Sequence, residues 1–304
     1  MTQRSKPSLG NGAKNISMNM PSLSVILPAK NESAALGDLL DKLKQLLPDA
    51  EIIIINDGST DDTIDVCKTR QVTVISRPYS MGNGAAIKTG ARKARGDILV
   101  FMDADGQHQV EDIQHLLAKL AEGYDMVVGA RTKGSQANMH RAVANGFYNR
   151  FASWMVGQKI EDLTSGFRAV RADKFKQFLY LLPNGFSYPT TITMSFFRAG
   201  YSVAYVPIHA QKRIGKSHMR IVRDGVRFLL IIFKIGTLYS PLKLFFPISM
   251  SFFLLGLCHY IYTFLTIHRF TNMSAMLFVT SVVVFLIGLV SEQITSLSYK
   301  DSEH

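Results

Sequence analysis

The sequence predicts an α/β domain with a mostly parallel sheet, followed by an interfacial helix and a hairpin of two membrane-spanning helices. Between residues 22 and 208, short apolar runs rich in Val and Ile alternate with helix-length segments. This alternation is typical of parallel strands joined by crossover helices. Near the end of the 304-residue chain, two long runs contain no Asp, Glu, Lys or Arg. The two observations separate a large α/β domain from a helical hairpin.

Apolar runs mark the predicted strands of the α/β domain. The run 51–56 (EIIIIN) is continuous and β-branched, which indicates a strand buried on both faces. Leucines at helical spacing predict a helix over 33–47. In such sheets ligands bind beyond the carboxyl ends of the strands, so the residues that follow each run are the candidate site residues. The runs are 22–27, 51–56, 72–76, 97–103 and 125–130.

The two uncharged runs, 244–267 and 272–290, predict the hairpin, with spans at 244–267 and about 272–292. Each is long enough to cross about 30 Å of hydrocarbon as a helix; a pair of buried core helices is the alternative. Only residues 268–271 separate them, so both ends of the pair lie on one side of the membrane. Residues 1–20 lack the apolar segment of a signal peptide. We therefore expect an integral protein of the plasma or inner membrane, with the α/β domain and both termini in the cytosol.

The chain is predicted to have five segments. Residues 212–227 carry six Lys or Arg and one Asp, which favours attraction to anionic headgroups. This stretch begins a predicted basic loop and interfacial amphipathic helix. The segments are a flexible tail at 1–20, the α/β domain at 21–211, the basic loop and interfacial helix at 212–243, the hairpin at 244–298 and a cytosolic tail at 299–304.

Composition excludes several classes of protein. With 47% hydrophobic residues the chain is not intrinsically disordered, and two cysteines exclude a disulfide scaffold. The net charge of +11 fits a nucleic acid, an anionic lipid or a phosphorylated small molecule. We expect no nucleic acid partner, because no basic groove with interleaved aromatic residues is visible outside the membrane-proximal stretch. A homo-oligomer is compatible with the sequence.

Asp103 and Asp105 follow the run 97–102, with Gln107 two residues further on. Carboxylates at i and i+2 beside an amide are oxygen ligands for a hard cation such as Mg²⁺ or Mn²⁺. An EF-hand is excluded, because its sixth and twelfth positions hold His108 and Gln114. The alternative is a solvated acidic turn that caps the next helix.

Other polar residues also follow strands. Asp57 is placed to accept a hydrogen bond from a nucleobase imide or a ribose, whereas Ser59 and Asp61 suit turn and helix-cap positions. The turn 82–84 (GNG) lacks the dinucleotide fingerprint but could aim backbone N–H groups at an anion. Basic residues near strand or helix ends would stabilise a leaving diphosphate if they converged on it. They are Arg131, Arg141, Arg168 and Arg213.

An ordered set of motifs resembles family 2 glycosyltransferases. The similarity is greatest to polyprenyl-phosphate hexosyltransferases, such as dolichol-phosphate mannose synthase and bacterial undecaprenyl-phosphate hexosyltransferases. It spans about residues 22–240 and extends to the hairpin. The motifs are 28–32 (PAKNE), 56–59 (NDGS), 82–84 (GNG), 103–108 (DADGQH), 129–131 (GAR) and 162–168 (DLTSGFR).

The resemblance implies a Rossmann-like GT-A fold, a UDP- or GDP-hexose donor, and Mg²⁺ or Mn²⁺ as cofactor. It assigns the donor to Pro28, Ala29, Glu32, Asp57, Asp103, Ala104 and Gln107, and the metal to Asp103, Asp105 and Gln107. It assigns the acceptor phosphate to Arg131, Arg141, Lys212, Arg213 and Ser217, and catalysis to Asp105, Asp162, Arg131 and Arg213.

Two motifs depart from the family pattern. Asn56 replaces the first Asp of Asp-Asp-Gly-Ser. In the stretch 212–218 (KRIGKSH) the arginine is shifted by one position and His218 stands where the family has Lys. A Gln-x-x-Arg-Trp motif is absent, so a processive polysaccharide synthase is not expected.

The leading functional hypothesis is inverting, metal-dependent transfer of a hexose to a polyprenyl phosphate at the cytosolic leaflet. Because that acceptor is already anionic, no strong general base is needed. An alternative is transfer to a hydroxyl of a lipid or glycan, for which Asp162 or Glu161 would act as general base. A further alternative is a non-catalytic membrane adaptor, against which the intact pair of Asp103 and Asp105 argues.

Overall fold

The computed structural model describes residues 21–132, 139–185, 187–209, 233 and 236–300, with side chains described for all of these except 139–145 and 298–300. The α/β domain alternates strands and helices along the chain. Its elements are β1 (Leu23–Ala29), α1 (Ser33–Leu46), β2 (Glu51–Asn56), α2 (Thr63–Thr69), β3 (Thr73–Ser76), α3 (Asn83–Lys93), β4 (Ile98–Phe101), α4 (Asp112–Ala121), β5 (Met126–Arg131), α5 (Met139–Val156), β6 (Arg168–Arg171), α6 (Ala172–Lys176), α7 (Tyr188–Arg198) and β7 (Val203–Ile208).

Within the described residues, seven strands form one sheet in the order β3-β2-β1-β4-β6-β5-β7. All neighbours are parallel except β6, which runs antiparallel to both β4 and β5. The parallel strands end at one edge of the sheet, and β6 begins there. The mostly parallel sheet predicted from the sequence is confirmed. The antiparallel strand β6 was not predicted, because its four residues begin and end with arginine.

Helices cover both faces of the sheet, which explains the continuous apolar runs. On one face, Val25 and Leu27 of β1 pack with the leucines of α1 and with α4. On the other face, Ile26 and Ile53 pack with α3, α6 and α7. A third cluster joins Ala152 and Met155 of α5 to Met194 of α7. The sheet is therefore a rigid frame that fixes the loops at its edges.

Two long helices, Pro241–Ile267 and Asn272–Lys300, form the hairpin. Both are long and apolar enough to cross a membrane, and most of their large apolar side chains point outward. They extend beyond the predicted spans at 244–267 and 272–292. The first helix begins inside the predicted interfacial segment, and the second continues into the predicted tail. Of the rest of that interfacial segment, the described residues are 233 and 236–240. The N-terminal tail and residues 301–304 lie outside the described residues.

Small residues line the contact between the hairpin helices at seven-residue intervals. Such spacing keeps one face of each helix toward the other, and small side chains let the backbones approach closely. The hydroxyls of Ser249 and Ser281 each donate to the other residue's carbonyl oxygen at 2.9 Å. The buried positions in this seam are Ser249, Gly256 and Thr263 of the first helix and Ser274, Ser281, Gly288 and Thr295 of the second.

Replacement of Gly288 by Leu is expected to destabilise the hairpin. A Cβ atom at this position would lie 2.7 Å from the Cβ of Phe245, so the helices must separate, at a cost of about 1–3 kcal/mol. Thermal unfolding of the full chain in detergent measures the effect. The matched control is Val290→Leu, at an outward position that is 60% exposed. Equal melting temperatures for the two variants would contradict the close packing at Gly288.

Candidate active site

The carboxyl-terminal edge of the sheet brings most of the described candidate residues together. The backbone N–H of Asp57, after β2, donates to the carbonyl oxygen of Ala29, at the end of β1, at 2.9 Å. A Cβ atom on Gly166, just before β6, would lie 3.5 Å from Oδ2 of Asp103, after β4. The loop that contains Gly166 also carries Asp162, which pairs with Arg131 at the end of β5. The predicted site residues that meet at this edge are Ala29, Asp57, Asp103, Arg131 and Asp162.

The loop after β1 is held by the loop after β2. Asn31 adopts the left-handed conformation (φ 57°), and its Oδ1 accepts from the backbone N–H of Thr60 at 2.8 Å. Asp61 accepts from the backbone N–H groups of Ser33 and Thr63, the first residues of α1 and α2. Burial raises the pKa of Asp61, but hydrogen bonds from Thr63 and Ser33 outweigh it and hold that pKa at about 2. The N-cap residues of these helices are Glu32 and Asp62, so Asp61 caps both helices through its side chain and not from the cap position. The backbone around Pro28, Ala29 and Glu32 is therefore fixed.

Asp57 is buried and anchors the loop that follows β3. Its carboxylate accepts from the backbone N–H groups of Met81 and Gly82, at 2.8 and 3.0 Å, and from the Ser80 hydroxyl at 2.9 Å. Arg77 lies 3.3 Å away. Burial alone would raise the pKa of Asp57, but these partners lower it below its ordinary value. Asp57 is thus a fixed carboxylate, and its contact with a nucleoside stays a prediction.

In the turn 82–84, the N–H groups of Gly82 and Gly84 bind acceptors within the protein, which argues against the expectation that this turn aims them at an anionic ligand. The N–H groups of Gly84 and Ala85 donate to the carbonyl oxygens of Gly185 and Asn184, at 3.2 and 3.0 Å. Lys88 adds a hydrogen bond to the carbonyl oxygen of Leu182 at 2.9 Å. The start of α3 is therefore occupied by the chain that leads into α7.

Gly84→Ala is expected to destabilise this contact. Its Cβ would lie 2.1 Å from the carbonyl oxygen of Pro183 and 2.8 Å from that of Gly185. Because both neighbours are backbone atoms, relief requires a shift of the main chain, at a cost of about 1–3 kcal/mol. The control is Gly146→Ala in α5, where nothing lies within 4 Å; it is expected to be neutral or stabilising by up to about 1 kcal/mol. Thermal unfolding of both variants measures the effect. A melting temperature of Gly84→Ala equal to that of the natural protein would contradict the close contact at Gly84.

Asp103, Asp105 and Gln107 lie on one half-buried turn after β4. Gly106 has φ 73°, and the N–H of Gln107 donates to Oδ1 of Asp105 at 3.2 Å. Among the described residues, no group of three or more His, Cys, Asp or Glu side chains could hold a metal ion. Two carboxylates and an amide suit Mg²⁺ or Mn²⁺, which bind through one or two carboxylates and take further oxygens from water and substrate phosphates. The missing Cβ of Gly166 leaves space beside Asp103. The donor set therefore fits a divalent cation.

Arg131 and Asp162 form a bidentate ion pair beside this turn. Nε and Nη2 of Arg131 donate to the two carboxylate oxygens at 2.8 and 2.9 Å. Asp162 also accepts from the backbone N–H groups of Thr164 and Ser165 at 3.1 Å. Burial raises the pKa of Asp162, but Arg131 outweighs it and lowers that pKa below its ordinary value. Asp162 is therefore a weak base that positions Arg131.

His108 connects the turn 103–107 to the loop that holds Asp162, and sequence reasoning missed this. Its ring stacks on Phe167 with centroids 4.8 Å apart and planes 19° apart. Burial lowers the pKa of His108 to about 4, although the nearby Asp105 opposes this. The residue is thus neutral at physiological pH and packs two site loops together. Both residues lie in recognised motifs, but the sequence carries no signal of their stacking.

Arg168 does not face the site, so its expected convergence on a diphosphate was wrong. The side chain is fully buried, with Nη1 donating to Pro189 O at 3.3 Å and to Thr193 Oγ1 at 3.2 Å. It also donates to the carbonyl oxygen of Ser165. Arg168 therefore fastens the loop before β6 to α7. The side chain of Arg141, together with Lys212, Arg213 and Ser217, lies outside the described residues.

Comparison with known proteins gives the family. The model for glycosyl transferase family 2 matches residues 24–179, just over half of the chain. The chain belongs to this family. A second model, the GtrB C-terminal hairpin, matches residues 240–297 of this glycosyltransferase. The predicted enzyme class and the GT-A-like fold with a C-terminal hairpin are confirmed, and the adaptor alternative is set aside.

Two relatives of this glycosyltransferase have names that refer to a polyprenyl phosphate or to its mannosylated form. It is 31% identical over 209 residues to the undecaprenyl-phosphate mannosyltransferase of Micrococcus luteus, covering 64% of this chain and 86% of the relative. It is 28% identical over 211 residues to the polyprenol monophosphomannose synthase of Mycolicibacterium smegmatis, covering 64% and 80%. A solved structure with the same fold is glucosyl-3-phosphoglycerate synthase from Mycobacterium tuberculosis with Mn²⁺, UDP-glucose and phosphoglyceric acid. Its TM-score is 0.59 at 20% identity, covering 71% of this chain and 80% of that one.

Proposed function

We propose that this glycosyltransferase transfers a hexose from a UDP- or GDP-hexose to a polyprenyl phosphate at the cytosolic leaflet of the plasma or inner membrane. The relatives from Micrococcus luteus and Mycolicibacterium smegmatis support the acceptor class. The two apolar helices support membrane location. The observation that favours a phosphate acceptor over a hydroxyl is that the carboxylate of Asp162 is paired with Arg131 and has a lowered pKa.

A hydroxyl acceptor must lose its proton during attack, and a positioned base typically contributes about 10²–10⁴-fold. Asp162 is poorly suited to that task, because both its oxygens are engaged by Arg131 and its pKa is lowered. The other candidate base, Glu161, pairs with Lys159 on the surface at 2.9 Å. A phosphate monoester, whose second pKa is about 6, is largely dianionic at neutral pH. It needs no base, which matches the site.

In the proposed reaction, an acceptor phosphate oxygen attacks the anomeric carbon as the bond to the nucleoside diphosphate breaks, and one such displacement inverts that carbon. Asp103, Asp105 and Gln107 would hold Mg²⁺ or Mn²⁺, which when bound supplies Lewis-acid stabilisation of the leaving diphosphate. Arg131, held by Asp162, presents fixed positive charge beside it. Pro28, Ala29, Glu32, Asp57 and Ala104 would bind the donor; Arg141, Lys212, Arg213 and Ser217 would bind acceptor phosphate, and Arg213 would also assist catalysis.

A panel of labelled nucleotide sugars tests this proposal. Membranes that contain the protein are incubated with each donor and extracted with organic solvent. We expect label from a UDP- or GDP-hexose in the lipid fraction, an increase when polyprenyl phosphate is added, and loss of the label on mild acid hydrolysis. Lipid label that neither requires polyprenyl phosphate nor yields to mild acid would contradict a phosphate acceptor.

A further inference from the structure

An aromatic face on α5 is exposed and has no assigned role. Phe147, Phe151 and Trp154 lie at i, i+4 and i+7, so they share one side of the helix. Their rings form a row, with centroids 6.5 Å apart for the first pair and 5.8 Å for the second. Phe147 is 64% exposed and Trp154 is 50% exposed. Phe151, between them, is half-buried and packs against the cluster of Ala152 and Met155. Exposed aromatic side chains on one side of a helix mark an interaction surface.

The aromatic face lies next to the start of the hairpin. The Nζ of Lys243, in the first turn of the hairpin, donates to the carbonyl oxygen of Met155 at 3.0 Å. Met155 is in the last turn of α5, where a cation is stabilised by the helix dipole. Tyr239 packs against the cluster formed by Ala152 and Met155. These contacts tie the end of α5 to the point where the chain enters the apolar helices.

The start of the first hairpin helix is also held by the second hairpin helix. Glu292 of the second hairpin helix accepts from the N–H of Leu242 at 3.1 Å, capping the first helix across the pair. The outward apolar surface of the hairpin begins nearby, where Phe246 is 48% exposed. The end of α5 is thus held at the start of the hairpin, where the polar surface of the α/β domain gives way to the outward apolar surface of the two helices.

We propose that Phe147, Phe151 and Trp154 rest in the headgroup region of the bilayer that the hairpin crosses. Tryptophan is enriched at this depth, because its ring is apolar while its indole N–H is polar. Arg150 lies exposed on the same side of α5, where an anionic headgroup would face it. The surface would hold the sheet edge with the candidate site at a fixed height above the lipid. The inference rests on the proposed membrane location of the hairpin.

The chain contains a single tryptophan, Trp154, so its fluorescence reports on this surface without substitution. The full chain is reconstituted into phosphatidylcholine and phosphatidylglycerol vesicles that contain lipids brominated either near the glycerol or near the chain end. We expect loss of most Trp154 emission with the shallow bromine label, less loss with the deep label, and weak quenching by aqueous iodide.

A matched control moves the reporter to the opposite edge of the sheet. In Trp154→Phe/Thr69→Trp the tryptophan replaces an exposed residue at the end of α2. We expect this variant to be quenched by iodide and to be insensitive to brominated lipids. The same pattern for Trp154 in the natural sequence would overturn the proposal. Protection of Trp154 from both quenchers would also overturn it, in favour of a surface covered by protein.

Alkaline extraction of the same vesicles tests the membrane location of the hairpin separately from the proposal about α5. If the chain is extracted, the membrane location of the hairpin fails and the proposal about α5 fails with it. If the chain is retained while Trp154 is insensitive to brominated lipids, only the proposal about α5 fails. Hexose transfer, measured on the same vesicles, tests the proposed function independently of the fluorescence.

Discussion

Asp105→Asn is expected to lower hexose transfer by about 10²–10³-fold, the loss typical when one group that stabilises developing charge is removed. Asp105 provides one of the two carboxylates in the candidate cation site, and the amide that replaces it carries no charge. The fold should persist, because the side chain is half-buried at the sheet edge and is not part of the core. Initial rates with labelled donor measure the effect, and excess chelator should have a comparable effect on the natural sequence.

Binding measurements separate a lost cation site from a lost fold. A nucleoside diphosphate with Mg²⁺ or Mn²⁺ should raise the melting temperature of the natural protein and should do so much less for Asp105→Asn. The control is Asp49→Asn, which removes an exposed carboxylate from the opposite edge of the sheet and should leave activity unchanged. Full activity of Asp105→Asn, or full activity of the natural protein in excess chelator, would refute the cation assignment.

Asp162→Asn is expected to lower the free energy of unfolding by about 3–5 kcal/mol, because it leaves Arg131 without its buried partner. The carboxylate of Asp162 is 6% exposed and accepts two hydrogen bonds from that guanidinium. For a domain of this size, the loss corresponds to a fall of about 10 °C in melting temperature. Thermal unfolding of the full chain in detergent measures it.

The pH dependence of this loss has a definite sign. The folded-state pKa of Asp162 lies below its ordinary value, so its stabilisation is complete above the unfolded pKa of about 3.9 and is lost as the pH falls through the folded value. The difference between the two proteins should therefore be largest at neutral pH and shrink in acid. Asp65→Asn removes one side of an exposed pair with Lys68 and should change stability by less than about 1 kcal/mol. An Asp162→Asn protein that is fully stable yet inactive would point instead to a general base.

The sequence predicted the parts of the fold that depend on local pattern. The run 51–56 became β2 with the same bounds, because a strand buried on both faces needs only a continuous apolar sequence. The strand β6 could not be predicted in this way, since the buried charge of Arg168 is compensated by the carbonyl oxygen of Pro189 and by Thr193, both more than twenty residues later. The small-residue repeat of the hairpin was visible as Ser, Gly and Thr at intervals of seven and was overlooked.

In the candidate site, too, the positions of residues could be predicted from local sequence pattern, whereas their contacts with distant residues could not. Residues within two positions of a strand's end, such as Asp57 and Asp103, reach the predicted edge because parallel strands end there. Their partners depend on tertiary packing. The start of α3 is filled by Asn184 and Gly185, about one hundred residues later, and no local pattern distinguishes that from an open anion site. Likewise, the spacing of Arg131 and Asp162 does not show that they pair.

The most direct test of the central claim compares two acceptors that differ only in the phosphate. Purified full-length protein in vesicles receives the labelled donor identified by the panel, Mg²⁺ or Mn²⁺, and either a polyprenyl phosphate or the polyprenol of the same chain length. The account predicts an acid-labile glycolipid from the phosphate and no glycolipid from the alcohol. Transfer to the polyprenol at a comparable rate, with an acid-stable product, would contradict it.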